Sequence, residues 1–253
     1  MKDNLGDRMK ENYENRAKTK LLRRTPVIIR LDGKAFHTFT RGFDKPFDEI
    51  LTSAMQQTML TLCKEIQGCV LGYTQSDEIT LVLTDYAKLE TSAWFDYDIQ
   101  KICSISASIA TLAFNRYFLE EAQNRYESNS ECVKSIYYRA WLKGACFDAR
   151  CFNIPKEEVT NCILWRQQDA TRNSINSVGQ AYFSHKELQG LNVNQIQDKL
   201  FKEKSINWND LPVHLKRGSC CTKQKINGIS IWVIDNYIPI FKGNDRNYIE
   251  KLI

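Results

Sequence analysis

Along the first 154 residues, hydrophobic side chains switch between two spacings in an order that few folds accommodate. Val27-Ile28-Ile29 leads into Arg30-Leu31-Asp32-Gly33, an apolar run of strand length that ends on a carboxylate and turns at a glycine. Leu51, Met55, Met59, Leu62 and Ile66 recur every three or four residues, which predicts an amphipathic helix over Glu49–Ile66 with this stripe in the core. Val70–Thr74 and Ile79–Leu83 read as the strands of a hairpin. Trp94, Ile102, Ile105, Ile109, Leu112 and Phe114 give a second helix, roughly Ser92–Phe118, a broad buried side, and Cys146–Ile154 returns as a strand. The succession is βαββαβ, so the expected class is α+β with a ferredoxin-like sheet.

Right-handed crossovers in such a unit bring the first and third strands together at the sheet centre. Asp32, closing the first strand, and Asp77, at the hairpin tip Gln75-Ser76-Asp77-Glu78, are then expected on one sheet edge despite their separation in sequence. Two close carboxylates raise each other's pKa unless they share a cation. Hard oxygen ligands favour Mg²⁺, the usual companion of nucleotide phosphates. Each motif alone has an ordinary reading: Asp-Gly after a strand is a common turn, and Ser-Asp-Glu at a hairpin tip is often solvated. The pair carries the expectation of a metal site.

Residues 1–24 mix acids and bases and end in Lys18, Lys20, Arg23 and Arg24, which reads as a solvated helix or, alternatively, a basic arm near a phosphate backbone. Thr25-Pro26 closes it. The polar stretch Glu120–Lys134 is expected to continue the second helix or loop out. Past Pro155 the spacing predicts a helix through Val159, Ile163 and Leu164 to Asp169, another over about Ser174–Phe183, and a third over Asn194–Lys204 capped by Asn194. Ser230–Ile234 and Ile238–Phe241 suggest a terminal hairpin. The expected division is a catalytic unit over 1–154 and a helical and small-β extension over 155–253 packed on it.

Composition narrows the class without choosing the chemistry. Hydrophobic residues at 43% and charged residues at 26% are ordinary for a globular protein, and a net charge of +5 permits a nucleic-acid partner without requiring one. Nine cysteines (63, 69, 103, 132, 146, 151, 162, 220 and 221) include no Cys-x-x-Cys spacing and read as small buried hydrophobes in a reducing compartment. Cys220-Cys221 has no further ligands at zinc spacing. The amino terminus is too charged for a signal peptide and no apolar run approaches membrane-spanning length, so the expected location is the cytoplasm.

Four blocks together resemble the tRNA-histidine guanylyltransferase superfamily: RLDGKAFHTFTRGFDKP at 30–46, GYTQSDEITLVL at 72–83, FDARCFNIP at 147–155 and ILWRQQDA at 163–170. They occur in the family's order and the resemblance covers roughly residues 1–185. It implies a polymerase-type palm that adds nucleotides to a tRNA 5′ end in the 3′-to-5′ direction. By position, Asp32 and Asp77 match the metal-binding carboxylates, Gly33 the glycine whose carbonyl joins them, and Glu78 the adjacent catalytic acid. The amides of Gly33, Lys34, Ala35, Phe36 and His37 match a segment that wraps the triphosphate. His37, Lys45 and Ser76 match side chains beside it. Arg166, Gln167 and Asp169 match a Trp-Arg-Gln-x-Asp block and, with Arg172 and Asn173, are candidate tRNA or nucleotide contacts. The resemblance also implies two Mg²⁺ ions per site, ATP and GTP as substrates, tRNA as partner and a homotetramer, with neither a membrane nor DNA expected.

Members specific for tRNA-histidine carry His-Ile-Asn-Asn after that block, where this chain has Thr171-Arg172-Asn173-Ser174. The Arg-Asn-Ser-Ile run resembles instead the guanylyltransferase-like branch, associated with templated repair of 5′-truncated tRNAs. The expected function is therefore a Mg²⁺-dependent 3′-to-5′ nucleotidyltransferase acting on tRNA ends. The alternatives are a tRNA-histidine-specific guanylyltransferase, a nucleotide cyclase on a similar palm, and a tRNA-binding module without catalysis.

Overall fold

The computed structural model describes residues 4–126 and 131–253. Six antiparallel strands form one sheet: β1 (Val27–Gly33), β2 (Cys69–Gln75), β3 (Glu78–Leu83), β4 (Phe147–Asn153), β5 (Ser219–Ile226) and β6 (Ile229–Asp235). Their order across the sheet is β4-β1-β3-β2-β5-β6. β1 thus lies between β3 and β4, and Asp32 stands opposite Glu78 on one side and Asp148 on the other. A one-residue slip of β1 would exchange Asp32 for Leu31 at that point, and the apolar alternation forbids it.

The alternation sorts the two faces. Val27, Ile29 and Leu31 face α1 (Glu49–Glu65) and α2 (Ile99–Tyr126), packing with Met55, Met59, Leu62, Phe114 and Phe118. Each such side chain, fully buried, contributes about 1.5–3 kcal/mol. α1 begins where Asp48 accepts the Leu51 amide at 2.9 Å, an N-cap that also holds the Asp44 amide and the Tyr137 hydroxyl of α3 (Glu131–Lys143). On the other face, Ile28 and Val82 meet Val159 and Ile163 of α4 (Lys156–Tyr182). A third cluster, with Ile175, Val178, Ile196, Leu200 and Trp208, fastens α4 to α5 (Val193–Lys204).

Several expectations are corrected. α2 starts at Ile99, because Trp94–Tyr97 is a separate 3₁₀ turn with left-handed residues at Phe95 and Asp96. By length and composition alone, Ile99–Asn124 could cross a bilayer, contrary to the reading that no run approaches that length. In this fold Ile102, Ala110, Phe114, Phe118 and Ala122 of that helix are buried in the core. α4 is one continuous helix instead of two, since no Gly or Pro interrupts 156–178 and Ser174, buried within it, accepts the Trp208 indole N–H at 3.0 Å. Asn192, not Asn194, caps α5, accepting the Asn194 and Gln195 amides. The terminal hairpin is β5 with β6, and Ile238–Phe241 is not a strand. Pro239 has no N–H to give a ladder, and this segment instead docks on α4, with Gln167 Nε2 donating to the Pro239 carbonyl at 2.8 Å. Of the stretch 120–134, α2 continues to Tyr126 and α3 begins at Glu131, while 127–130 lie outside the described residues.

Candidate active site

β1 carries Asp32 and Gly33 to the end of the sheet, and the β2–β3 hairpin returns Asp77 to the same place. The Gly33 amide donates to the Asp77 carbonyl at 3.1 Å. Ser76, at φ 50°, makes the turn, and its hydroxyl donates to Asp77 Oδ1 at 3.1 Å. Burial raises the Asp32 carboxyl above its ordinary range, and the charges of Glu78 and Asp148 add to this. Burial likewise raises Asp77, with the charge of Asp32 acting in the same direction against local hydrogen bonds. Such mutual repulsion is what a shared cation relieves. Among the described residues, no group of three or more His, Cys, Asp or Glu side chains is placed to cage a metal. Two carboxylates and a backbone carbonyl nonetheless fit Mg²⁺, which ordinarily completes its sphere with water and phosphate oxygens.

Asp148 escaped the sequence reading. It lies directly across the ladder from Asp32, is exposed, and pairs with Arg150 at 3.0 Å. The signal was present in the alternation of Asp148 and Arg150 with apolar neighbours, which puts them on the face of Asp32.

The turn after β1 has little freedom. A Cβ on Gly33 would lie 2.3 Å from the Phe36 ring. That ring is held in turn by Phe114 and Phe147, each with its centroid 5.3 Å away. Ala35 is left-handed at φ 55°. The Gly33 and Lys34 amides are engaged by the Asp77 and Cys146 carbonyls, at 3.1 and 2.8 Å, so the whole run from Gly33 to His37 does not present itself to a phosphate. The amides of Ala35, Phe36 and His37 have no backbone acceptor among the described residues. Phe36 can offer only its amide, because its side chain is buried; Lys34, His37 and Lys45 are exposed.

Glu78 differs from the acid expected. It is buried, and Arg166 grips it with Nε at 2.6 Å and Nη2 at 2.8 Å, while Arg30 Nη2 adds a bond at 2.9 Å. Oε1 also accepts from the Thr80 hydroxyl at 3.4 Å, so each oxygen has two donors and Glu78 acts as an anchor between the sheet and α4. Arg166 and Gln167 are correspondingly corrected as contacts. Arg166 is buried and also bonds Asp169 at 2.8 Å, and Gln167 is spent on Pro239 and Phe241. Burial alone would raise Asp169, but the guanidiniums of Arg172 and Arg166 outweigh it and hold the carboxyl below its usual range. Arg172 is exposed.

Asn173 is exposed and lines a cavity of about 250 Å³ that adjoins the 33–37 turn through Thr40, Leu51 and Ser76. Lys45 stands at this cavity, whose walls include Phe43, Phe47 and Met55, with Ser177 of α4 and His214 of α6 (Val213–Arg217). Burial lowers the His214 pKa, favouring a neutral ring. Ser177 and His214 were not singled out from sequence: neither belongs to a recognisable motif, and tertiary packing brings them to the cavity.

Residues 6–155 match the Thg1 family, described as tRNAHis guanylyltransferase. A probable tRNA(His) guanylyltransferase of Dictyostelium discoideum is 28% identical over 222 residues, covering 81% of this chain and 78% of that protein. The structure of a bacterial tRNA(His) guanylyltransferase (Thg1)-like protein in complex with ATP superposes with a TM-score of 0.84, at 46% identity and 99% coverage of both chains. A Thg1-like protein in complex with GTP gives 0.81 at 42% identity, again over 99% of both.

Proposed function

This chain belongs to the Thg1 family of tRNAHis guanylyltransferases and is a nucleotidyltransferase; from that premise we propose that it repairs 5′-truncated tRNAs, extending them 3′-to-5′ with nucleotides chosen by pairing to the opposite strand. The observation that carries the choice of branch is Thr171-Arg172-Asn173-Ser174 standing where histidine-specific relatives have His-Ile-Asn-Asn. Asn173 is common to both runs; of the three positions that differ, Arg172 is exposed, Thr171 partly so, and Ser174 is buried against Trp208. The greater identity to the bacterial Thg1-like proteins points the same way.

In this reading β1–β4 with α1 and α2 act as a ferredoxin-like palm, and residues 155–253 close the nucleotide cavity. Asp32, Asp77 and the Gly33 carbonyl would hold Mg²⁺, which when bound supplies Lewis acidity at the attacking 3′-hydroxyl and charge neutralisation at the departing pyrophosphate. The Ala35, Phe36 and His37 amides and the Lys45 ammonium bind the triphosphate of ATP or GTP. The base enters the cavity behind Lys45, against Phe43, Phe47 and Met55, with Asn173, Ser177 and His214 available for hydrogen bonds. Glu78, Arg30 and Arg166 keep the carboxylate-bearing hairpin fixed under α4. Base choice comes from pairing, so the protein itself need read only backbone and shape.

The test is extension of a 5′-truncated, 5′-triphosphorylated tRNA with each nucleotide offered in turn. Incorporation of whichever nucleotide pairs with the template, on several tRNAs, is expected. Incorporation of guanosine alone, on tRNA-histidine alone, refutes the repair reading. Asp32→Ala is expected to abolish extension with its circular dichroism unchanged, and a wild-type rate would remove the two-carboxylate assignment.

A further inference from the structure

Of the five tryptophans only Trp165 is exposed, at 50%, although the next residue on α4, Arg166, is buried. Cations stand behind its ring: the guanidinium carbons of Arg166 and Arg30 lie 4.4 and 5.1 Å from the centroid. Both guanidiniums donate to one oxygen, Glu78 Oε2, at 2.8 and 2.9 Å. Placed on opposite faces of the indole they could not both reach it. They therefore share one side of the ring, and the exposed area belongs to the other. Arg30 and Asp32 lie two residues apart on one face of β1, about 7 Å along the strand, so this open indole face stands close to the carboxylates. The nucleotide cavity is walled from elsewhere, by α1, β2, α6 and later turns of α4, and Trp165 lies outside it. Two exposed guanidiniums share the surface with Trp165. Arg150 pairs with Arg30 across the β1–β4 ladder, and Arg172 follows two turns on along the same side of α4.

We propose that the open face of Trp165 stacks an unpaired base of the RNA template strand, the one beyond the base being copied, while Arg150 and Arg172 meet the phosphates beside it. This rests on the repair reading above. Removing nucleotides from a 5′ end leaves the opposite strand single, and that strand must be held near Asp32 while a nucleotide pairs with it. A base inside a duplex has both faces covered by its neighbours, whereas an unpaired base can offer one to an aromatic side chain. Every base has such a face, so stacking holds the strand without reading it, as copying of any sequence requires. The ring is suited to the task because its back is fixed: Arg166 and Arg30 are themselves held by Glu78, so little freedom is lost when a base arrives. Trp165 is on this account a positioning residue and touches no reacting atom.

Binding of two hairpin RNAs, followed by fluorescence anisotropy without added nucleotide, tests it. One hairpin ends flush, and the other carries unpaired nucleotides on its 3′ strand. The wild type is expected to bind the overhanging form about tenfold more tightly. Trp165→Leu should abolish that preference with ATP affinity unchanged, whereas Trp165→Phe, which keeps a ring, should retain most of it. The overhang should also quench tryptophan emission in the wild type but not in Trp165→Phe, a second reading if the leucine variant fails to fold. Equal binding of the two RNAs by the wild type overturns the proposal. So does a preference that survives Trp165→Leu, even with a lowered melting temperature, since the indole would then merely cover the Glu78 ion pair. Quenching that survives Trp165→Phe overturns it as well. Because binding is read without turnover, a failed extension assay refutes the repair reading while this comparison still decides the stacking one.

Discussion

Replacing Arg166 with Met removes the grip on Glu78 while keeping most of the side-chain volume. The wild-type side chains are 7% and 8% exposed, so the ion pair is a buried one. Breaking such a pair by deleting one partner costs about 3–5 kcal/mol, because the other charge is left buried. Here Arg30 retains its bond to Glu78 at 2.9 Å, and Asp169 retains Arg172, so the expected cost lies near the lower end, about 3 kcal/mol. For a chain of this size each kcal/mol moves the melting temperature by about 2–4 °C, which gives a drop of about 6–12 °C. Thermal unfolding followed by circular dichroism reads the shift, and a cycle with Glu78→Gln should return a coupling energy above about 1 kcal/mol. If Arg166→Met melts at the wild-type temperature yet loses tRNA or nucleotide binding, Arg166 reaches substrate and the anchoring role is wrong.

Two further outcomes follow from the site. Asp32 and Asp77 both have raised pKa values in the folded protein, so they favour the fold while protonated and oppose it as pH rises above the ordinary carboxylate range near 4. Asp32→Asn should therefore raise the metal-free melting temperature at pH 7, and adding Mg²⁺ should stabilise the wild type but not the variant; a metal-free variant less stable than wild type would contradict this. Asn173→Ala and His214→Ala should each weaken ATP binding about 2–10-fold by removing one hydrogen bond to the base, measured by calorimetry. Unchanged affinity in both would place the base outside the cavity.

Much of the carboxylate geometry was legible in the sequence because it depends on local periodicity and the handedness of crossovers. Strand and helix spacings around residues 27–33, 49–66 and 70–83 place Asp32 and Asp77 before any tertiary contact is known. The role of Glu78 was not legible, because its partner Arg166 lies 88 residues away and nothing near Glu78 announces it. β5 was hidden for a different reason: Lys223, Gln224 and Lys225 protrude from the sheet into solvent and interrupt any apolar alternation. Ile238–Phe241 misled because Ile238 and Phe241 are buried by docking on α4, which a strand-like run cannot distinguish from a ladder. The cavity wall at Ser177 and His214 needed α4 to be continuous, and the sequence offered only the absence of a breaker.

Along Leu71–Thr74, β2 is hydrogen-bonded to β5, the strand that follows α6 and its His214. Lys45 and the 33–37 turn belong to the first half of the chain, yet the opposite wall hangs from the same ladder. Four paired residues would have to separate before those walls could swing apart. If the cavity holds the nucleotide, its Lys45 side and its His214 side are thus tied through one sheet. In the proposed reading, discrimination between ATP and GTP comes from the fit and hydrogen bonding of these walls.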